Sequence, residues 1–256
     1  MCLILVAVQK HPLYKLILAA NRDEYHDRPS KPPHFWKEVP HLLAGRDLVA
    51  GGTWLGITLQ GRIAAITNYR DPSNPKPNAP SRGRLAADFL TNIAEPMVYL
   101  DVIRMVKDRY NGYNLLLGNP DRLYWYSNRS DEITALAQRI YGLSNHLLDT
   151  PWPKVTKAKG FFEEIIRAET KPSTEAIFQL LADQTAAPDH MLPETGVGLE
   201  WERILSSIFI TSPTYGTRSS TVVLIDKDDN VLFLERTFNS RPEPVSTSTF
   251  EFTLKK

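Results

Sequence analysis

The sequence predicts an α+β protein built of packed layers of antiparallel sheet and helix. Three observations carry this. Strand-like and helix-like segments come in blocks, in the order strands, helices, strands, helices, strands, rather than alternating one by one. Strand-like runs that are neighbours in sequence are joined by short connections, as in hairpins. The first of these runs are too continuously apolar for a sheet with one face in water, which predicts sheets covered on both faces.

Element by element, residues 3–8 and 14–20 are two β-rich runs joined through residues 9–13, and residues 54–59 and 62–67 form a second pair turning at Gln60-Gly61. Between the pairs, Pro29, Pro32, Pro33 and Pro40 predict irregular chain. A second proline cluster, Pro72 to Pro80, predicts an exposed loop. Ser81 is placed to cap a helix through Leu85, Phe89 and Leu90, and residues 98–110 read as another. Strands return at residues 113–117, 123–126 and 140–143. A loop over residues 145–153 leads into a helix in which Phe161/Ile165 and Phe162/Ile166 recur at i,i+4. Ser173 opens the next helix, residues 186–198 form a long loop, and residues 207–211, 221–226 and 231–238 close the chain as strands. There is no internal repeat or low-complexity linker, so one domain over residues 1–256 is the simplest organisation.

Composition narrows the function. A formal net charge of +1 supplies no field that would favour nucleic acid or an anionic membrane. The apolar run of residues 2–8 is far below the ~20 residues a membrane span needs. It also lacks the basic flank and cleavage site of a signal peptide, so a cytoplasmic protein is expected. A single cysteine excludes an internal disulfide and a multi-thiolate zinc site. His26, His34 and His41 have no acidic partner pattern that would make a metal site, and no cofactor is expected. Gly51-Gly52-Thr53-Trp54 lacks the Gly-Lys-Ser/Thr ending of a phosphate loop, and no Gly-x-Ser-x-Gly motif is present.

What remains is the address of Cys2, directly after the initiator methionine. Removal of Met1 is sterically permitted before so small a residue, and it would leave a thiol and a free α-amine on one amino acid. With ordinary pKa values of about 8.5 and about 7.7–8.0, the amine can take the thiol proton near neutral pH. If the first two strands pair, the polar stretch Asn21-Arg22-Asp23-Glu24 lies beside Cys2. Arg22 would then lower the thiol pKa, and Asp23 would anchor the α-ammonium.

Cys2, Asn21-Arg22-Asp23-Glu24, Gly51-Gly52-Thr53-Trp54-Leu55-Gly56-Ile57, Thr67-Asn68-Tyr69 and Ser81-Arg82-Gly83-Arg84, in this order and spacing, resemble the NRDE family, also called the transport and Golgi organisation protein 2 family. The resemblance implies the N-terminal nucleophile hydrolase fold, a four-layer αββα sandwich with the nucleophile on the first strand. By similarity to choloylglycine hydrolases and penicillin V acylases it implies cleavage of a small non-peptide amide or acyl compound. It further implies a catalytic set of Cys2, Arg22, Asp23, Asn68, Asn145 and Arg218. The adjacency of Arg22 and Asp23 departs from the wider Arg-x-x-Asp spacing of those enzymes. In this reading Asn68 or Asn145 donates to the oxyanion, and Arg218 is buried beside the nucleophile with Asp23 as its partner. The same resemblance implies an alternative, a non-catalytic binding protein that traffics haem or a lipid-like metabolite.

Overall fold

The computed structural model describes residues 2–168 and 171–255; Met1, whose removal is expected from the sequence, lies outside the described residues. Its strands are β1 (Cys2–Val8), β2 (Tyr14–Tyr25), β3 (Ser30–Trp36), β4 (Val39–Asp47), β5 (Leu55–Thr58), β6 (Ile63–Asn68), β7 (Tyr113–Asn119), β8 (Arg122–Ser127), β9 (Glu132–Ala135), β10 (Ile140–Leu143), β11 (Tyr215–Asp226), β12 (Asn230–Phe238) and β13 (Pro244–Thr253). The helices are α1 (Gly83–Thr91), α2 (Pro96–Met105), α3 (Pro153–Ala168), α4 (Thr174–Leu181) and α5 (Leu199–Leu205).

The strands form two sheets, one in the order β10-β1-β2-β11-β12-β13 and one running β3 to β9 in chain order, with every pairing antiparallel. Strand alternation explains the layering. Ile4, Val6, Leu16 and Leu18 pack with Ile57, Ala65, Leu116 and Trp125 between the sheets. The intervening Leu3, Leu5, Ile17 and Ala19 face outward under Val155, Phe162, Ile177 and Leu181 of α3 and α4. On the other side Leu85, Phe89, Leu100 and Ile103 of α1 and α2 cover Ala44, Ala64, Leu115 and Leu117. The result is the expected four-layer αββα sandwich, and the continuously apolar strands are those covered on both faces.

Several expectations are corrected. The proline-bearing segment is not irregular: it forms β3 and β4, with Pro32 and Pro33 at the register shift between Lys31 and His34. β3 is an edge strand, where a missing N–H and a bulge cost little. Residues 207–211 make only an isolated bridge, Thr211 to Gly216. Their backbone is held by other partners: Asn21 Nδ2 donates to the Ile208 carbonyl, and Ile210 N–H donates to Thr217 Oγ1. Ser81 does not cap α1, which starts at Gly83 without a side-chain cap, whereas Ser173 Oγ accepts from Ala176 N–H as expected. α2 ends at Met105, and Lys107–Arg109 continue as a 3₁₀ turn.

Glycine explains one motif. A Cβ on Gly52 would lie 2.4 Å from the Gly83 carbonyl carbon, and Thr53 N–H donates to the Gly83 carbonyl. The two glycine-bearing stretches are thus a backbone-to-backbone contact that fixes the start of β5 against α1.

Candidate active site

Cys2 opens β1, directly opposite Arg22 in the antiparallel register with β2. The next strand continues the row, since Arg22 pairs with Ser219 of β11 and Ser219 pairs with Thr237 of β12. Because successive side chains on a strand point to opposite faces, the adjacent motif residues divide their work. Arg22 lies on the inner face, with its guanidinium 4.2 Å from the Trp54 ring centroid. Asn21 lies on the outer face and is fully employed. Its amide donates to the carbonyls of Leu181 and Ile208, and its Oδ1 accepts from Ser220 Oγ at 2.6 Å. It ties β2 to the helical layer and to the irregular chain after α5.

Asp23 is buried, and its Oδ1 accepts from Thr217 Oγ1 at 2.7 Å. Desolvation raises its pKa, opposed by the nearby Lys154 ammonium. Lys154, in the first turn of α3, is only 3% exposed, and its Nζ has no hydrogen-bond partner among the described residues. Desolvation lowers its pKa to about 8, against the pull of Asp23 and Cys2. Cys2 is half-buried as a residue; desolvation of the thiol and the Asp23 charge raise its pKa, while the Asp23 backbone N–H and the Arg22 charge favour the thiolate. The void on the Arg22 and Trp54 side of Cys2 is about 10 Å³, so an acyl group has to reach the thiol from another side.

The opposite sheet reaches Cys2 through a chain of hydrogen bonds. Ser144 Oγ lies 3.0 Å from the Cys2 carbonyl and 3.2 Å from Asn145 Oδ1, with one proton to share between them. Asn145 is fully buried, and its Nδ2 donates to the Asn68 carbonyl at 2.8 Å. Arg70 N–H donates to the Asn145 carbonyl, and Thr67 Oγ1 donates to the Ser144 carbonyl. Asn68 ends β6 with its side chain half-buried. The ends of β1, β2, β6 and β10 therefore gather Cys2, Arg22, Asp23, Asn68 and Asn145 into one region.

Arg218 behaves differently from expectation. It occupies the β-bulge between Thr217 and Ser219, so the extra residue is turned away from Asp23. It is half-buried, and its Nη1 donates to the carbonyls of Tyr25 and His26, each at 2.9 Å. Thr217 takes the place at Asp23 that the sequence reading gave to Arg218.

Sequence reasoning missed four buried charged groups. Lys154 carried a legible signal: a lysine directly after Pro153 sits in a helix first turn, where the dipole disfavours a cation. Arg70 and Glu202 form a buried ion pair at 2.5 Å, and Glu202 also accepts from Thr195, which fastens α5 and the preceding loop to the site. Glu235, buried on β12, has a pKa raised by desolvation to about 7. Nothing in sequence spacing joins these three to Cys2.

The sandwich has the N-terminal nucleophile hydrolase fold. A mutant conjugated bile acid hydrolase from Clostridium perfringens superposes with a TM-score of 0.54 at 8% identity, over 98% of this chain and 92% of that one. An N-acylethanolamine-hydrolyzing acid amidase ortholog from Caenorhabditis elegans does so with a TM-score of 0.51 at 10% identity, over 87% and 92%. At such identities the likeness is one of fold. Sequence is more specific: the family model described as Transport and Golgi organisation 2 matches residues 1–240. The Bos taurus Transport and Golgi organization protein 2 homolog is 39% identical over the full length of both chains, and the Homo sapiens homolog is 36% identical over the same extent. The chain belongs to the Transport and Golgi organisation 2 family. No helix among the described residues is long and apolar enough to cross a membrane.

Proposed function

We propose that the protein is an N-terminal nucleophile cysteine hydrolase that cleaves a small non-peptide amide through an acyl-Cys2 intermediate, after removal of Met1. The observation that carries this reading is the register of β1 and β2, which sets the Cys2 thiol against Arg22 and beside buried Asp23, on the fold shared with an acid amidase and a bile acid hydrolase. In the proposed reaction the Cys2 α-amine takes the thiol proton and the thiolate attacks the carbonyl. The amine then protonates the leaving nitrogen as the C–N bond breaks. Water, deprotonated by the same amine, attacks the thioester and releases the acid and the thiol. Asp23, compensated by Lys154, holds the α-ammonium. The oxyanion donor is the Asn145 amide, which keeps a second N–H after Nδ2 donates to the Asn68 carbonyl, so that Asn68 acts by fixing Asn145. Arg22 and Arg218 complete the set, Arg22 at the thiol and Arg218 one strand further away. No cofactor takes part, the protein acts in the cytoplasm, and its partner is a small amide or acyl compound.

The test is a screen of acylated amines against the mature protein with Cys2→Ser as control; turnover that survives Cys2→Ser defeats the reading. A second reading has its own observation. A cavity of about 380 Å³, lined largely by apolar residues including Pro151, Met191 and Ile208, adjoins the buried Lys154. Such a cavity suits a binding and trafficking protein for a lipid-like metabolite or for haem. A haem titration that leaves the Soret band of free haem unshifted counts against the haem form of that reading.

A further inference from the structure

A second cavity, of about 240 Å³, lies on the far side of Arg22 from Cys2, and the polar groups around it are unusually short of partners. It is lined by Arg22, Lys31, Trp54, Arg218, Ser219 and Glu235, among others. Arg22 is only 6% exposed, and no carboxylate among the described residues is within ion-pair distance of it. Arg218 uses Nη1 on two carbonyls, and its Nε is buried without a hydrogen-bond partner. Glu235 accepts from Thr221 Oγ1 at 2.8 Å through one carboxyl oxygen, while the other has no hydrogen-bond partner. Ser219 Oγ sits close to that carboxyl without the geometry of a full hydrogen bond.

Buried polar groups are nearly always hydrogen-bonded, so a guanidinium N–H, a carboxyl oxygen and a hydroxyl left wanting around one cavity describe a site shaped for something else. The charges say what. Arg22, Arg218 and Lys31 face a single acid, and desolvation raises the pKa of that acid to about 7. When Glu235 is protonated the only formal charges on the lining are cationic; when it ionises, it repels an anion. A guanidinium presents a planar fork that matches a carboxylate, and a neutral carboxyl can donate one further hydrogen bond to it. The volume falls below the ~300–1,000 Å³ of pockets for drug-sized ligands, which fits a small acid or the acidic end of a larger molecule.

We propose that this cavity is a carboxylate-binding subsite, in which Arg22 and Arg218 flank the anion, Ser219 and Glu235 hydrogen-bond it, and Lys31 stands at the rim. The site stands whether or not Cys2 turns anything over. It is tested on the purified full chain by calorimetric titration at pH 6 and low salt, with Trp54 fluorescence as a second readout. Succinate is the probe, succinamide its neutral counterpart and phosphate the competing oxyanion. Saturable succinate binding at least ten-fold tighter than that of succinamide is expected, weakened several-fold by Lys31→Ala and by Ser219→Ala. Wild type should lose succinate affinity between pH 6 and pH 8, while Glu235→Gln should bind alike at both. Lys31 is exposed, so Lys31→Ala tests the site without disturbing the core. The Cys2→Ser protein should bind succinate as wild type does, so that this site and the hydrolase reading fail separately. Equal binding of succinamide, phosphate binding without succinate binding, no saturable response, or undiminished affinity in Lys31→Ala and Ser219→Ala would each overturn the proposal.

Discussion

At the scale of single residues, the thiol of Cys2 is caught between opposing effects. Desolvation and the Asp23 charge favour the neutral form, and the fixed charge of Arg22 favours the thiolate. Replacing Arg22 with methionine keeps the contact with Trp54 but removes the charge. The midpoint of Cys2 alkylation by iodoacetamide against pH is expected to rise by roughly half a unit to one unit; an unmoved midpoint would remove Arg22 from the surroundings of the Cys2 thiol. Glu235 makes a second prediction. Its folded pKa of about 7 lies above the ordinary 4.5, so the folded state holds a proton that the unfolded chain releases. The stability this contributes is complete below about pH 4.5 and is lost as the pH rises through about 7. Urea unfolding of wild type and Glu235→Gln should show wild type losing up to about 3 kcal/mol relative to the variant between pH 4 and pH 8. Parallel stability curves would show that Glu235 does not titrate out of line.

At the scale of elements, the fold was legible wherever one physical signal acted alone. The continuously apolar halves of β1, β2, β5, β6 and β11 could be read because burial on both faces leaves no polar alternation. The far ends of β2 and β11 could not. Asn21 to Tyr25 and Tyr215 to Ser220 are polar because they build the site, and polarity reads as loop until the partner strand is known. β3 was hidden by its prolines and β13 by its exposed, polar edge position, two features that edge strands tolerate. Within the site, Cys2, Arg22 and Asp23 were legible from position and hairpin geometry. The partner of Arg218 was misassigned, Thr217 standing at Asp23 instead, because a bulge of one residue cannot be seen in a single sequence. The Gly52–Gly83 contact belongs to this scale too. A methyl group at Gly52 has nowhere to go but into the Gly83 backbone. Gly52→Ala is therefore expected to cost about 1–3 kcal/mol in thermal or denaturant unfolding, and a neutral result would mean that the two loops separate freely.

At the scale of the whole molecule, the site sits where the two sheets and the chain around α5 are fastened together. Thr67 to Ser144, Arg70 to Asn145 and Asn145 to Asn68 join the ends of β6 and β10, and Glu202 draws α5 in through Arg70. Arg70 is stranded if its partner goes. Glu202→Ala is expected to destabilise by about 3–5 kcal/mol, since a buried charge loses its counter-ion. A loss below ~1 kcal/mol would show that α5 and its loop are not held by this pair.

The proposed chemistry at this junction can be put to one measurement. Purified protein is incubated with p-nitrophenyl acetate, quenched in acid, and read by intact mass and N-terminal peptide mapping. Expected is a chain beginning at Cys2 and carrying one acetyl group on that residue, absent from Cys2→Ala. A chain that retains Met1, or acetylation that ignores the loss of the Cys2 thiol, would contradict it.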